Sequence, residues 1–214
     1  MNTAQAIAQL LLKIKAVTLR TDPPFTWTSG IKAPIYCDNR LMVSYPEAYK
    51  KVVTGFKKLI TENNLEFDVL SGTATAGIPW AAFLAYDLGK PMVYVRPEPK
   101  AHGAGKQVEG TMPQGARVLI VEDLISTGGS SLQSAAACQK EYKAKVLGVL
   151  AIFTYEMSRA AVAFKEAGLP LYALSNFSTL AEIAEQENYI TTEQKNQIMG
   201  WSTDPEQWWE SLQK

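Results

Sequence analysis

Apolar and polar positions along the chain fall into two regimes. Between residues 67 and 174, short unbroken apolar runs alternate with stretches of helical period. The runs predict strands over 67–71, 91–96, 117–122, 146–153 and 171–174; the periodic stretches predict helices over 78–88, 130–142 and 156–167, with Gly89 and Gly168 as stops. Runs that are apolar throughout suit strands buried on both faces, and strand–helix alternation predicts a parallel sheet with helices on its faces. Outside this block the ends read differently. Residues 3–16 form an amphipathic helical pattern, Pro23, Pro24, Gly30, Pro34 and Pro46 break the next stretch into turns and short extended pieces, and 45–63 reads as a helix with Pro46 at its start. Near the C-terminus, Thr179 with Glu182 and Thr191 with Gln194 fit capping boxes, and Asp204 and Pro205 open a last helix carrying Trp208 and Trp209. The expectation is an α/β fold in one domain: a parallel-sheet core over about 46–175 with flanking helices, and a small hood built from about 1–45 and 176–214.

Residues 97–114 break the alternation. They hold Gly103, Gly105, Gly110, three prolines, Lys100, Lys106 and the only histidine, His102, and they show neither helical nor strand period. A loop this long inside a compact domain is usually functional or disordered.

Composition narrows the partners. With 21 basic and 21 acidic residues among 214 the formal charge is zero, so nothing global draws the chain to nucleic acid or to an anionic membrane, and any anion site must be local. Two cysteines, Cys37 and Cys138, make no disulfide framework or zinc motif and suit a reducing cytoplasm. Residues 1–12 lack a basic n-region, so no secretory signal is expected. The longest apolar run, 146–153, falls well short of the roughly 20 residues of a membrane helix.

The chemistry is concentrated in residues 117–130, RVLIVEDLISTGGS. An apolar strand ends in two carboxylates, Glu122 and Asp123; a Ser/Thr/Gly loop follows and a helix begins. In open parallel sheets ligands sit at the carboxyl ends of strands, and a glycine-rich turn into a helix presents N–H groups and the positive end of the helix dipole to a phosphate. Gly128 and Gly129 allow close backbone approach, and Ser126, Thr127 and Ser130 add hydroxyls. The carboxylates would repel that phosphate, so they must serve hydroxyl groups or a metal. A sugar phosphate meets both demands. An acid-ended strand also occurs in Walker-type proteins, but the chain has neither GxxxxGK[ST] nor GxGxxG.

This motif resembles the phosphoribosyl pyrophosphate (PRPP) site of the type I phosphoribosyltransferases. Three further segments, FTWTSGIKAPIYCDNR at 25–40, GTATAGIP at 72–79 and YVRPEPKAHG at 94–103, are similar to the orotate phosphoribosyltransferase family, and the likeness covers nearly the whole chain. It implies transfer of the ribose 5-phosphate of PRPP to orotate in pyrimidine biosynthesis. It also implies Mg²⁺ held mainly by PRPP rather than by protein ligands, and a homodimer whose mobile loop acts in trans. Glu122 and Asp123 then resemble the acids on the ribose hydroxyls, and Leu124, Ile125, Ser126, Thr127, Gly128, Gly129 and Ser130 the 5′-phosphate cradle. Arg96, Lys100 and His102 resemble the loop residues that close over pyrophosphate, with Lys100, His102 and Asp123 as the catalytic set. The segment 72–77 looks like a second pyrophosphate loop, and Ser126 and Tyr36 fall where the family meets orotate.

The chain departs from some members at Thr28 and Ala76, where they carry lysine, at Pro97, where they carry a basic residue, and at Tyr155, where they carry arginine. Arg159 lies nearby on a helical pattern and reads as a solvated residue. Trp80, Trp201, Trp208 and Trp209 read as packing residues, and Cys37 and Cys138 as small buried apolar ones. Two rivals remain. A purine-base phosphoribosyltransferase would share the PRPP motif but not segments 25–40 and 96–103. A PRPP-binding regulatory protein on nucleic acid would need a basic stripe that this chain lacks.

Overall fold

This computed structural model describes residues 1–99 and 105–213. The N-terminal pattern folds as α1 (Thr3–Lys13), started by Asn2, whose side chain and that of Gln5 cap each other's backbone N–H groups. The Pro/Gly-rich stretch that follows makes two small antiparallel pairs. β1 (Val17–Leu19) pairs with β4 (Ile35–Cys37), and β2 (Phe25–Thr26) pairs with β3 (Lys32–Ala33). A 3₁₀ turn over Asn39–Ser44 then leads into α2 (Pro46–Glu62), with proline in its first turn where no N–H is needed.

The alternating block follows as β5 (Val69–Thr73), α3 (Gly77–Leu88), β6 (Met92–Val95), β7 (Val108–Glu109), β8 (Arg117–Ile125), α4 (Gly129–Tyr142), β9 (Lys145–Thr154), α5 (Ser158–Glu166) and β10 (Leu171–Asn176). These strands form one sheet in the order β10-β9-β8-β5-β6-β7, parallel throughout except for β7, which returns antiparallel to β6. The chain closes with α6 (Phe177–Gln186), α7 (Thr192–Met199) and α8 (Trp208–Ser211).

Alternation along the central strands divides the core into two layers. Leu119 and Val121 of β8 and Leu150 and Ile152 of β9 face one side, where they pack with α1, α2, α3, α6, Trp201 and Trp208. Val118 and Ile120 of β8 and Val149 and Ala151 of β9 face the other, against Ala135, Ala137 and Cys138 of α4 and Ala160 and Phe164 of α5. Both faces are covered, which is why these strands read as unbroken apolar runs. α3 lies unusually close to β8: a methyl group at Gly77 would stand 2.3 Å from the carbonyl oxygen of Val121.

The chain ends meet. The Ser175 hydroxyl donates to the Ala4 carbonyl at 2.8 Å, and the Trp201 indole N–H donates to the Lys32 carbonyl at 3.0 Å. Three local expectations are corrected. The helix expected to start at Thr179 starts at Phe177, because Asn176 at the end of β10 is its N-cap and accepts the Thr179 N–H at 2.8 Å. The last helix begins at Trp208 rather than at Asp204, although Asp204 still accepts the Gln207 N–H. Within 97–114 lies the strand β7, whose two residues are too few to show a period.

Candidate functional site: a carboxylate pair beside an aromatic cavity

Three strand ends converge at one edge of the sheet. β5 lies between β6 and β8, with Thr73 opposite Val95 and Gly72 opposite Val121. The residues after each strand therefore share a rim, the place where open parallel sheets bind ligands. The rim holds Glu122 and Asp123, the loop after Thr73, and Arg96.

β8 runs on past the carboxylates to Ile125, so Glu122 and Asp123 belong to a rigid strand rather than to the loop. Glu122 is buried. Its Oε1 accepts the Asp123 backbone N–H and its Oε2 accepts the Ser130 hydroxyl, both at 3.1 Å. Burial first, and then the negative charge of Asp123, push the Glu122 carboxyl up to about 8; burial also raises Asp123. Two neighbouring acids in this state hold a proton near neutrality unless donors or a cation arrive.

The loop after β8 turns into α4 through Gly128, at φ +84°, where a side chain would also meet the Phe164 ring at 2.6 Å. No side chain caps α4. The N–H groups of its first turn lack intrahelical partners, and Thr127 and Ser130 beside them are exposed. Leu124 and Ser126 turn toward a neighbouring cavity. Ile125 differs from its neighbours: its side chain packs in the α4/α5 layer and its carbonyl accepts the Tyr155 N–H, so it anchors the loop.

On the β5 side, Thr73 is buried, its hydroxyl has no partner among the described residues, and the Ala74–Thr75 peptide is cis. On the β6 side, the Arg96 N–H donates to the Gln107 carbonyl at 3.0 Å, closing the stem from which the 97–106 segment leaves. The Gln133 side chain of α4 donates to the Pro97 carbonyl and ties the stem to that helix. The Arg96 guanidinium lies 3.6 Å from Glu109. Lys100, His102 and Gly103 lie outside the described residues.

The cavity beside Leu124 and Ser126 has a volume of about 600 Å³ and aromatic walls. Phe25 and Tyr36 form one side with ring centres 5.8 Å apart, and Trp27 and Tyr155 another at 5.1 Å. Trp201 stands behind, edge-on to both Trp27 and Tyr155. Tyr36 leaves 48% of its surface open. Such walls suit a planar ring, and Thr26, Thr28, Ser29 and Ser126 supply polar groups around it. Tyr155 thus stands in the cavity where some family members carry arginine; burial raises its hydroxyl well above the usual tyrosine range, so it stays neutral. Arg159 pairs with Glu206 at 2.6 Å and does not line the cavity. A larger cavity of about 680 Å³ lies between α1 and the start of α2, but the acid pair and the phosphate loop are not among its walls, so size alone does not pick out the site.

Of the residues expected from the sequence, Tyr36 and Ser126 line one cavity, and Glu122 and Asp123 stand on the strand that leads into Ser126. The sequence reading passed over Trp27 and Phe25 as wall residues, and it passed over Asn39, a buried amide whose Nδ2 donates to the Asp123 carbonyl at 2.7 Å. All three stand in the 25–40 segment, but nothing local to it shows that Asn39 reaches Asp123 across 84 residues.

A phosphoribosyl transferase domain model matches residues 44–166. An orotate phosphoribosyltransferase of Coxiella burnetii is 50% identical over 208 residues, covering 97% of this chain and 99% of its own. That of Bacillus subtilis is 48% identical over 202 residues, covering 94% and 93%. Among solved structures, the orotate phosphoribosyltransferase of Aeropyrum pernix superposes with a TM-score of 0.74 at 31% identity over 86% of this chain and 99% of that one. The acid-ended strand, the glycine-rich loop after it and the aromatic cavity beside them therefore sit in a chain that belongs to the orotate phosphoribosyltransferase family.

Proposed function

We propose that the rim between β8, α4 and the aromatic cavity is where this chain binds PRPP and orotate side by side. The reaction is transfer of the ribose 5-phosphate group to orotate, giving orotidine 5′-monophosphate and pyrophosphate, in the synthesis of UMP. The observation that carries the placement is that Leu124 and Ser126 belong at once to the phosphate loop after Glu122 and Asp123 and to the wall of the cavity. A sugar phosphate in the loop puts its anomeric carbon toward a planar base in the cavity.

In this reading the first turn of α4, with Thr127, Gly128, Gly129 and Ser130, takes the 5′-phosphate, and Glu122 and Asp123 accept the ribose hydroxyls. Orotate's ring nitrogen attacks the anomeric carbon as pyrophosphate leaves. Positive charge grows on the ribose and negative charge on the leaving group, so the chain's work is positioning, charge stabilisation and exclusion of water. No protein nucleophile is needed. Arg96, Lys100 and His102 meet the pyrophosphate, with Arg96 exchanging Glu109 for it. The residues present fit Mg²⁺ brought in with PRPP: the rim offers hard carboxylate oxygens from Glu122 and Asp123, and PRPP's own oxygens would supply most of the shell. Bound there, the ion would supply charge neutralisation for the leaving group. A homodimer with the 97–106 segment reaching the neighbouring site, a hood over about 1–45 and 176–214, and a cytoplasmic location complete the proposal. Among the described residues no helix is long and apolar enough to cross a membrane.

Calorimetric titration with PRPP and Mg²⁺ tests the placement. Asp123→Asn should weaken PRPP at least about tenfold, the cost of losing a charged acceptor. Unchanged affinity would move the ribose elsewhere.

A further inference from the structure

Asn39 is fully buried, with 0% of its surface exposed, yet it carries an amide. Burying an amide is costly unless both ends find partners, and here both do. Its Nδ2 donates to the Asp123 carbonyl at 2.7 Å, and its Oδ1 accepts the Cys37 thiol at 3.3 Å. The orientation is forced, because a carbonyl can only accept. Oδ1 must then face the thiol, and burial, with the nearby charges of Asp123 and Asp38, raises Cys37 so that its proton stays on.

The place of this bridge in the fold gives it meaning. β5 pairs with β8 only as far as Gly72 opposite Val121, so beyond that point β8 has β9 alone as a strand neighbour. Asp123 lies in this half-paired stretch. Its backbone N–H is held by the Glu122 carboxylate at 3.1 Å and its carbonyl by Asn39. One residue is thus clamped on both sides by side chains. Through Cys37, which lines the aromatic cavity, the same amide, 84 residues from Asp123 in sequence, reaches the wall of the base site.

We infer that Asn39 is a positioning residue: it fixes the peptide of Asp123 so that the carboxylate points at the sugar, and it ties that carboxylate to the base cavity. This rests on the reading of Asp123 as a ribose acceptor.

Steady-state kinetics of Asn39→Ala and Asn39→Asp, beside wild type and Asp123→Asn, test it, with folded fraction measured by thermal melting and orotate affinity by fluorescence. Asn39→Asp keeps the shape and the acceptor for Cys37 but sets an oxygen against the Asp123 carbonyl, so it separates loss of the bond from loss of packing. The expected result is a rise in the PRPP KM of about tenfold or more in both variants, the loss of one buried hydrogen bond, with orotate affinity in the absence of PRPP held within about threefold. A PRPP KM unchanged in both Asn39 variants, while Asp123→Asn raises it, overturns the positioning role and leaves the ribose acceptor standing. A PRPP KM unchanged in Asp123→Asn as well overturns both. A fall in kcat alone that tracks the folded fraction reduces Asn39 to a packing residue and also overturns the inference.

Discussion

The Ser130 hydroxyl donates to Glu122 Oε2 at 3.1 Å, joining the first turn of α4 to the end of β8. The bond holds the carboxylate pair and the loop proposed to take the phosphate in fixed relation. It also partly offsets the burial of Glu122, whose carboxyl is pushed up to about 8.

That shift predicts a pH dependence. A carboxyl with a raised folded value binds more protons than the unfolded chain between the two values, so stability falls as pH rises through that window. The ligand-free protein should lose stability from about 4.5 to about 8, and Glu122→Gln should flatten this slope. Groups with lowered values act elsewhere: Asp68, held down to about 2 by Arg117, contributes stability that is lost only in strong acid. Ribose hydroxyls prefer ionised acceptors, so PRPP should bind more tightly as pH rises over about 6–8, with a proton released. Urea denaturation and calorimetry in buffers of different ionisation enthalpy read both effects; a flat wild-type profile would contradict the raised carboxyl.

Trp27 makes a wall of the cavity with Tyr155. Removing it takes away a stacking face and apolar contact area worth about 1.5–3 kcal/mol. Trp27→Ala should therefore raise the orotate KM by about 10–150-fold, while Trp27→Phe loses less and neither moves the PRPP KM more than about twofold. Equal rises in both KM values would show that Trp27 supports the whole rim instead.

Gly77 tests the fold that carries the rim. A methyl group there meets the Val121 carbonyl at 2.3 Å, and backbone on both sides resists movement. Gly77→Ala should cost about 3 kcal/mol or more in denaturant unfolding. A change below about 0.5 kcal/mol would mean that α3 can slide away from β8.

The trans-acting loop is tested by mixing inactive chains. Lys100→Ala should lose about 2–4 kcal/mol of transition-state stabilisation. If one chain's loop completes its partner's site, an equal mixture with Asp123→Asn should recover up to about a quarter of wild-type activity, since half the dimers are hybrids with one intact site. No recovery from demonstrably mixed dimers would place the loop in its own subunit.

The legible part of the site was its contiguous part. Residues 117–130 state a strand, an acid pair, a loop and a helix in order, and each follows from local pattern. That the sheet is parallel followed from strand–helix alternation, whereas its order, β10-β9-β8-β5-β6-β7, rests on pairings between distant segments. What escaped the reading depends on contacts between distant segments. Asn39 meets Asp123 across 84 residues, and Trp27 meets Tyr155 only after the β2–β3 hairpin folds over the sheet edge. Asn176 took the cap assigned to Thr179 because a strand ends there, and periodicity does not register a two-residue strand such as β7.

The most direct measurement is the ultraviolet absorbance of orotate with the purified chain, PRPP and Mg²⁺, beside adenine, guanine, hypoxanthine, xanthine and uracil. The account predicts loss of orotate that requires both PRPP and Mg²⁺, with the other bases untouched. Turnover of a different base, or none at all alongside measurable PRPP binding, would contradict it.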